Sequence, residues 1–560
     1  MVATKPLSEV APPPPARRRG GPALSARAQA LLTVAIVVIV AAPGWATTGY
    51  LLDDAAISRA HLTGGFWGPT QGLYDTFGWY RPLATLLWSF VYVVPDALWV
   101  PRLAGVILHA VSCVSILGLW RRAGGTGPGA AALLIVFGLA PYSLEAIAWP
   151  ATLPSYALPI AMALAGSFVA ASARSSRGTA AGAALACTAL LAQEQVLPLL
   201  VLLLGAVAVA RHRGGSVLLG AALPAGVLWP ATLLASVDSN SRFSGPDGAS
   251  LENLRANLPL APDYLRPTPL GDLWWSGQGV GPGVLLIGAL VAVAVLLVSG
   301  ATPLVRVGPE GEQSRALGRV HLLLVLLGGA ALCAGAIAPY LLSGAPYLSA
   351  RFAYLPVLGL AAMLAAVVEV LSGARRSWAG TSTALVLLAP LAVWSPAALL
   401  AEGRAYRQQF AADRAQLEGL DRAVPLGQLV ADGTPLVVAG FPGYSLDRPG
   451  FGEHIIGLGK DGVRLLALQG SGVDLPPSQL DFRSGLDGLC LSRQGGFGLV
   501  PEWVAGRPEV WGPSGENTDR ALFAIYRDGA WAVSAAGAAA PAAVRLNAVG
   551  QLVACSGGPS

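Results

Sequence analysis

Charge is what this chain has least of. Only 12% of its 560 residues are Asp, Glu, Lys or Arg, about half the roughly 25% usual in soluble domains. A soluble chain of this length would divide into about four units of roughly 150 residues each, and their surfaces would need far more charge than this. Lysine is scarcer still, found only at Lys5 and Lys460. Five cysteines exclude a disulfide-dense secreted scaffold. A hydrophobic fraction of 54% excludes intrinsic disorder, which requires low hydrophobicity and high charge. The sequence has no Walker loop, no GxGxxG after a strand and no His/Cys cluster at metal spacing, so nothing supports ATP-driven transport or dinucleotide chemistry. The net charge of +5 comes from arginines in short clusters between apolar blocks, with no basic stripe for nucleic acid. The composition that remains is that of a polytopic membrane protein.

A membrane-spanning helix needs about 20 predominantly apolar residues. Eleven such segments are legible, near 28–47, 101–120, 128–148, 154–173, 179–193, 196–210, 215–235, 280–300, 320–342, 352–372 and 378–400. Arg17, Arg18, Arg19 and Arg27 precede the first, which by the positive-inside rule keeps the N-terminus in the cytoplasm. Alternation then makes a demand that the arginines meet. Arg121–Arg122, Arg174 with Arg177, Arg211 with Arg213, Arg306 with Arg315 and Arg319, and Arg375–Arg376 all fall on the N-terminal side. Asp53–Asp54, Glu145, Glu194 and Asp238 fall on the other. This agreement holds only if Leu83–Val94, short and ended by Pro95–Asp96, is a surface helix rather than a span.

The expected organisation is a disordered cytoplasmic arm (1–26), a transmembrane domain (27–400) with a first extracytoplasmic loop (48–100), a charged linker helix (401–424) and a small extracytoplasmic α+β domain (425–560). The chain is expected in the plasma (inner) membrane. Within the last domain PLVVAGFP (435–442) and GVRLLALQG (462–470) read as strands, and ALFAIYRDGAWAV (521–533) reads as a hairpin turning at Asp528–Gly529. Cys490 and Cys555 share that compartment, which permits a disulfide between them.

With charge so sparse, each exception carries information. Glu145 is the only charged residue between Arg122 and Arg174, and Glu194 the only one between Arg177 and Arg211. Ionisable residues at membrane depth are costly and tend to face polar cavities. Both glutamates fall at the outer ends of spans, on the side of Asp53–Asp54. One polar helix end is unremarkable by itself; four carboxylates at one membrane face are harder to read that way. Paired carboxylates at a membrane edge can act as a base or bind a divalent cation, so Asp53 and Asp54 are also the metal-ligand candidates. Arg81 in WYRPL and Arg351 in LSARFAYLP lie on the same side, against positive-inside statistics, and guanidinium groups bind phosphate bidentately. Lipid-headgroup anchoring is the alternative for both arginines. His109 in the second span reads as a packed histidine.

The order LLDDAAI (51–57), FWG (66–68), YRPL (80–83), LEAIAW (144–149), QEQVLPLL (from Gln193) and RFAYLPVLGLA (351–361) resembles GT-C glycosyltransferases. The chain is most similar to the membrane half of the transmembrane O-mannosyltransferases that carry tetratricopeptide repeats, and to their bacterial relatives, over roughly 45–370. The repeat array itself is absent. The resemblance implies a GT-C-like fold of about eleven spans. It implies transfer of a sugar from a polyprenyl-phosphate donor to an acceptor hydroxyl on the extracytoplasmic face, with a carboxylate of the first outer loop, where Asp53 and Asp54 stand, as the catalytic base. It also implies Arg81 and Arg351 on the donor phosphate, with their aromatic neighbours Tyr80 and Tyr354 in the substrate site, and Glu145 and Glu194 lining the outer cavity. Inversion at the anomeric carbon is expected, because one displacement by the acceptor suffices. Two other readings stay open from the residues: a transporter or flippase for lipid-linked glycans, and a non-catalytic cell-envelope scaffold.

Overall fold

Helices occupy all eleven apolar segments. The computed structural model describes residues 23–46, 52–77, 81–93, 98–141, 143–235, 250–262, 281–301, 306–307, 319–342, 350–373, 378–440, 459–482, 489–491, 497–499, 521–527, 530–535 and 553–554. Seven of the described helices are long and apolar enough to cross a bilayer: Trp99–Arg122, Glu194–Arg211, Gly214–Ala235, Pro282–Ser299, Val320–Leu342, Tyr354–Ser372 and Val386–Gln408. The chain is therefore a helical membrane protein. Ala26–Val40, Gly127–Gly138 and Ala157–Ser172 are apolar but shorter.

In chain order the elements are α1 (Ala26–Val40), α2 (Ala42–Trp45), α3 (Leu52–Gly64), α4 (Gly68–Phe77), α5 (Pro82–Val91), α6 (Trp99–Arg122), α7 (Gly127–Leu133) and α8 (Ser143–Ala148). They continue as α9 (Ala157–Ser172), α10 (Ser176–Thr188), α11 (Leu197–Arg211), α12 (Gly214–Leu223), α13 (Trp229–Ala235) and α14 (Leu251–Asn257). The last membrane helices are α15 (Pro282–Ser299), α16 (Arg319–Leu342), α17 (Tyr354–Gly373) and α18 (Trp378–Ala423). At about 15 Å for its 10 residues, α5 spans only half of a hydrocarbon core, as the reading of Leu83–Val94 requires.

Helices without a hydrophobic drive between them associate through close backbone packing at small residues. Here α9 and α10 meet at Gly166 and Gly182, where a Cβ on either would lie 2.3 Å from a backbone nitrogen of the other helix. Gly329 of α16 and Gly359 of α17 are reciprocal in the same way, with a Cβ 2.6 or 2.5 Å from the partner glycine's carbonyl oxygen.

Of the arginine clusters, Arg121–Arg122 and Arg211 with Arg213 lie on one face. Arg121 donates to Ser299 O at 2.9 Å, Arg213 to Ala173 O at 3.0 Å and Arg174 O at 2.7 Å, and Arg211 to Ala171 O. Each guanidinium thus satisfies carbonyls at or just beyond a helix C-terminus, where backbone acceptors are orphaned and the helix dipole favours cations. Arg122 lies over the Phe168 ring at 5.5 Å, and Glu369 accepts from Thr126 N (3.0 Å) and Thr126 Oγ1 (2.8 Å). Residues 23–24, inside the expected disordered arm, pair as strand β1 (Ala23–Leu24) with β2 (Arg306–Val307), tying the N-terminus to this face.

The C-terminal elements extend the sequence reading in one place and correct it in another. The last span and the linker helix are continuous: α18 runs 46 residues, about 70 Å, through Pro390 and Pro396. The stretch 462–470 is not a strand but part of helix α20 (Gly459–Ser471), which follows α19 (Leu426–Asp432). Its Val463 and Ala467 pack toward the sheet while Leu465 packs toward α3 and α18. Over the short window 462–470 the buried Val463, Leu465 and Ala467 alternate as in a strand, and only the full 13 residues carry the helical period. The other assignments hold. β3 (Leu436–Ala439) is fully buried and pairs in parallel with β4 (Leu480–Phe482) and β7 (Leu522–Arg527). β7 and β8 (Ala530–Ala535) form the antiparallel hairpin, with Arg527 opposite Ala530. A second sheet joins β5 (Leu489–Leu491), β6 (Phe497–Leu499) and β9 (Val553–Ala554), with Cys490 opposite Val553. Cys555 lies outside the described residues. Cys113, Cys187 and Cys333 are buried free thiols within the helices.

Candidate active site

At the face opposite the arginine clusters, a turn at Pro150–Thr152 packs against α3, α5, α6 and α8. Its Ala151 is bonded through both backbone groups: the N–H donates to Asp54 Oδ1 at 2.9 Å, and the carbonyl accepts from Trp88 Nε1 of α5 at 3.0 Å. The turn therefore connects the helix carrying Asp53–Asp54 to the helix that Arg81 caps.

Asp54 itself is sealed. Its carboxylate is fully buried, and Oδ1 also accepts from the Tyr92 hydroxyl at 2.5 Å. Arg102, equally buried at the start of α6, sits 3.9 Å from Oδ2. A buried ion pair with added hydrogen bonds resists the loss of either partner, because the survivor is left uncompensated. Asp53 lies on the same helix, and its side chain is outside the described residues.

Arg81 and Glu194 meet. Arg81 Nη2 donates to Glu194 Oε1 at 2.7 Å, with the arginine side chain 20% and the glutamate 43% exposed. At the next residue, Gln195 Oε1 accepts from the Tyr340 hydroxyl at 3.1 Å, and the Tyr340 and Tyr156 hydroxyls are 3.3 Å apart. Phe352 stacks on Tyr340 with ring centroids 4.2 Å apart. Arg351 therefore sits, by its backbone, beside a residue of this aromatic wall. Its turn, Ala350–Ala353, packs against α8, the helix that carries Glu145. The side chains of Glu145 and Arg351 and all of Tyr80 lie outside the described residues.

Tyr354 is placed elsewhere. It is fully buried in the helical core, with its hydroxyl 2.6 Å from His109 Nδ1. His109 Nε2 lies 3.1 Å from Gly138 O, and a carbonyl only accepts, so Nε2 carries the proton and Nδ1 of the neutral ring accepts from Tyr354. The packed reading of His109 fits this arrangement. Tyr354 faces the core helix rather than the Arg81–Glu194 pair.

Sequence reasoning missed Arg102 and Tyr92. Arg102 carried the same signal that singled out Arg81 and Arg351, a guanidinium on the side of Asp53–Asp54. Its position at the start of a span hid it. Tyr92 and Ala151 became visible only through contacts 38 and 97 residues from Asp54 in sequence. A divalent cation has a poor fit at Asp54, whose oxygens face a tyrosine hydroxyl, a backbone N–H and a guanidinium. Among the described residues no group of three or more His, Cys, Asp or Glu side chains could hold a metal. A shallow groove lined by Asp421, Leu426, Leu466 and Ser471 lies in the C-terminal region, apart from this cluster. Compared with family models, curated proteins and solved structures, the chain matches none.

Proposed function

We propose that the chain is a GT-C-type glycosyltransferase that moves a sugar from a polyprenyl-phosphate donor to an acceptor hydroxyl at the extracytoplasmic face. All eleven helical segments cross the membrane on this reading. The N-terminus and arginine face are cytoplasmic, and residues 425–560 lie outside. The observation that carries it is the arrangement on one face: α3 and α5 meet on the turn at Ala151, Arg81 ahead of α5 pairs with Glu194, and α8 packs on both the Ala151 turn and the turn before α17.

The chemistry follows from that arrangement. A lipid phosphate leaves readily, so the site must hold it with cations and remove one proton from the acceptor. Arg81 and Arg351 hold the phosphate, with Glu194 fixing the Arg81 head group. Asp54, buried and already accepting from Tyr92 and Ala151, has no approach for an acceptor hydroxyl. It serves as a positioning residue, and the base is Asp53. Attack by the acceptor oxygen on the anomeric carbon breaks the bond to the phosphate, inverts that carbon and passes the hydroxyl proton to Asp53.

The test uses the full chain in proteoliposomes with a panel of labelled polyprenyl-phosphate hexoses. Release of polyprenyl phosphate matched by labelled acceptor is expected for one of them, and the absence of turnover with every donor overturns the reading. Reporter fusions test the orientation, with Arg122 expected inside and Lys460 outside. A fusion at Lys460 that reports inside would reverse the assignment of faces.

A further inference from the structure

One helical turn beyond Asp54, α3 carries a second, differently built contact. Arg59 Nη1 is 2.9 Å from Asp474 Oδ2, and Arg59 Nη2 is 3.4 Å from Asp461 Oδ1. Both carboxylates belong to the C-terminal region, Asp461 on α20 and Asp474 just after it. Arg464, largely buried, completes the group: Nη2 lies 2.6 Å from Asp474 Oδ2, Nη1 lies 3.9 Å from Asp461 Oδ1, and Nε donates to Leu475 O at 2.6 Å. Two cations and two anions thus alternate around a neutral square. Burial first, and then the Arg59 charge, push the Arg464 guanidinium below its usual value. Beneath the square, Ala55, the residue after Asp54, is buried against Leu465 of α20 and Leu417 of α18. The C-terminal region is anchored in turn, because Trp531 Nε1 of β8 donates to Gln416 O of α18 at 2.8 Å.

We propose that the C-terminal region is part of the active site's scaffold: through Arg59 it fixes α3, and with it the Asp53–Asp54 pair, against the α18 rod. Arg59 is a positioning residue for sugar transfer. Besides packing on α4, its neighbour in sequence, α3 has two long-range partner sets. Tyr92, Ala151 and Arg102 hold it at Asp54 toward the membrane helices, and Asp461, Asp474 and Leu465 hold it at Ala55 and Arg59 toward the C-terminal region. Removing the second set leaves a helix of 13 residues, marginal without tertiary support, held by α4 and by the Asp54 contacts but no longer tied to the C-terminal region. The inference rests on the proposed transfer reaction for its catalytic consequence, and on the ion square alone for its structural one.

Hydrogen exchange over residues 52–64 and steady-state kinetics separate the two, measured on the full chain in nanodiscs for wild type, Arg59→Gln, Arg59→Lys and Asp474→Asn. Arg59→Gln and Asp474→Asn are expected to raise α3 amide exchange by about tenfold, as local opening becomes easier, with protection of α9 and α10 unchanged. In the same two variants kcat for the labelled donor falls several-fold with KM for the donor held, and Arg59→Lys restores most of both. Unchanged α3 exchange in Arg59→Gln overturns the proposal. So does a rise of exchange in α9 and α10 equal to that in α3, which marks general destabilisation. If wild type turns over no donor, the transferase reading falls while the exchange data still decide whether Arg59 fixes α3.

Discussion

The two ends of the helical bundle use arginine differently. On the N-terminal face, Arg121, Arg211 and Arg213 bond backbone carbonyls at helix ends, so each cation completes a structural cap. On the opposite face Arg81, Arg102 and Arg59 pair with carboxylates: Glu194, Asp54 and the Asp461–Asp474 pair. A backbone carbonyl is offered by every residue, whereas a carboxylate pair fixes a particular side chain in a particular place. Preorganised charge of the second kind is what a site for an anionic donor needs, because binding and catalysis reward groups already held in place.

Breaking the comparison at its most buried point should cost the most. Arg102→Ala is expected to destabilise the protein by about 3–5 kcal/mol, the usual effect of stranding a buried charge. Thermal unfolding in detergent measures it, and Arg102→Met with Asp54→Asn together should recover part of the loss. Crowding the α9–α10 contact with Gly182→Leu comes next, costing about 1–3 kcal/mol through overpacking; an unchanged unfolding temperature would show that the helices can separate freely there. Glu194→Gln sharpens the functional side. Without the carboxylate that holds it, the Arg81 head group loses its fixed position, and KM for a polyprenyl-phosphate donor should rise several-fold with little change in stability. Smallest is Arg414→Ala. Its pair with Glu418 on the solvent side of α18 is exposed on both partners, and its loss should move stability by only about 0.3–0.5 kcal/mol.

Much of the fold was legible because a membrane-spanning helix needs a long apolar run. That placed helical residues in every expected segment, and Arg81 and Glu194, expected on one side, do meet. Pairings that depend on the folded chain were not legible. Nothing local in DDAAI distinguishes the buried Asp54 from Asp53, and only the approach of Tyr92, Ala151 and Arg102 does so. The same limit applies to Arg59, whose partners lie 402 and 415 residues away. Helix α20 was misread as a strand because Val463, Leu465 and Ala467 alternate over a window too short to show the helical period. The composition changes from apolar to charged near residue 400, where the last span gives way to the linker, and α18 passes through that change unbroken.

These relationships alter how the competing functions are told apart. Deleting residues 425–560 would harm a scaffold, and it would equally harm a transferase whose α3 leans on that region. Point substitutions at the two faces remain discriminating. The most direct measurement is sugar transfer from a labelled polyprenyl-phosphate donor by Asp53→Asn and Arg213→Gln proteins, matched for amount in the membrane. Loss of a general base predicts a fall of about a thousandfold for Asp53→Asn, with Arg213→Gln within about twofold of wild type as expected for a helix-end cap. Full transfer by Asp53→Asn would contradict the account.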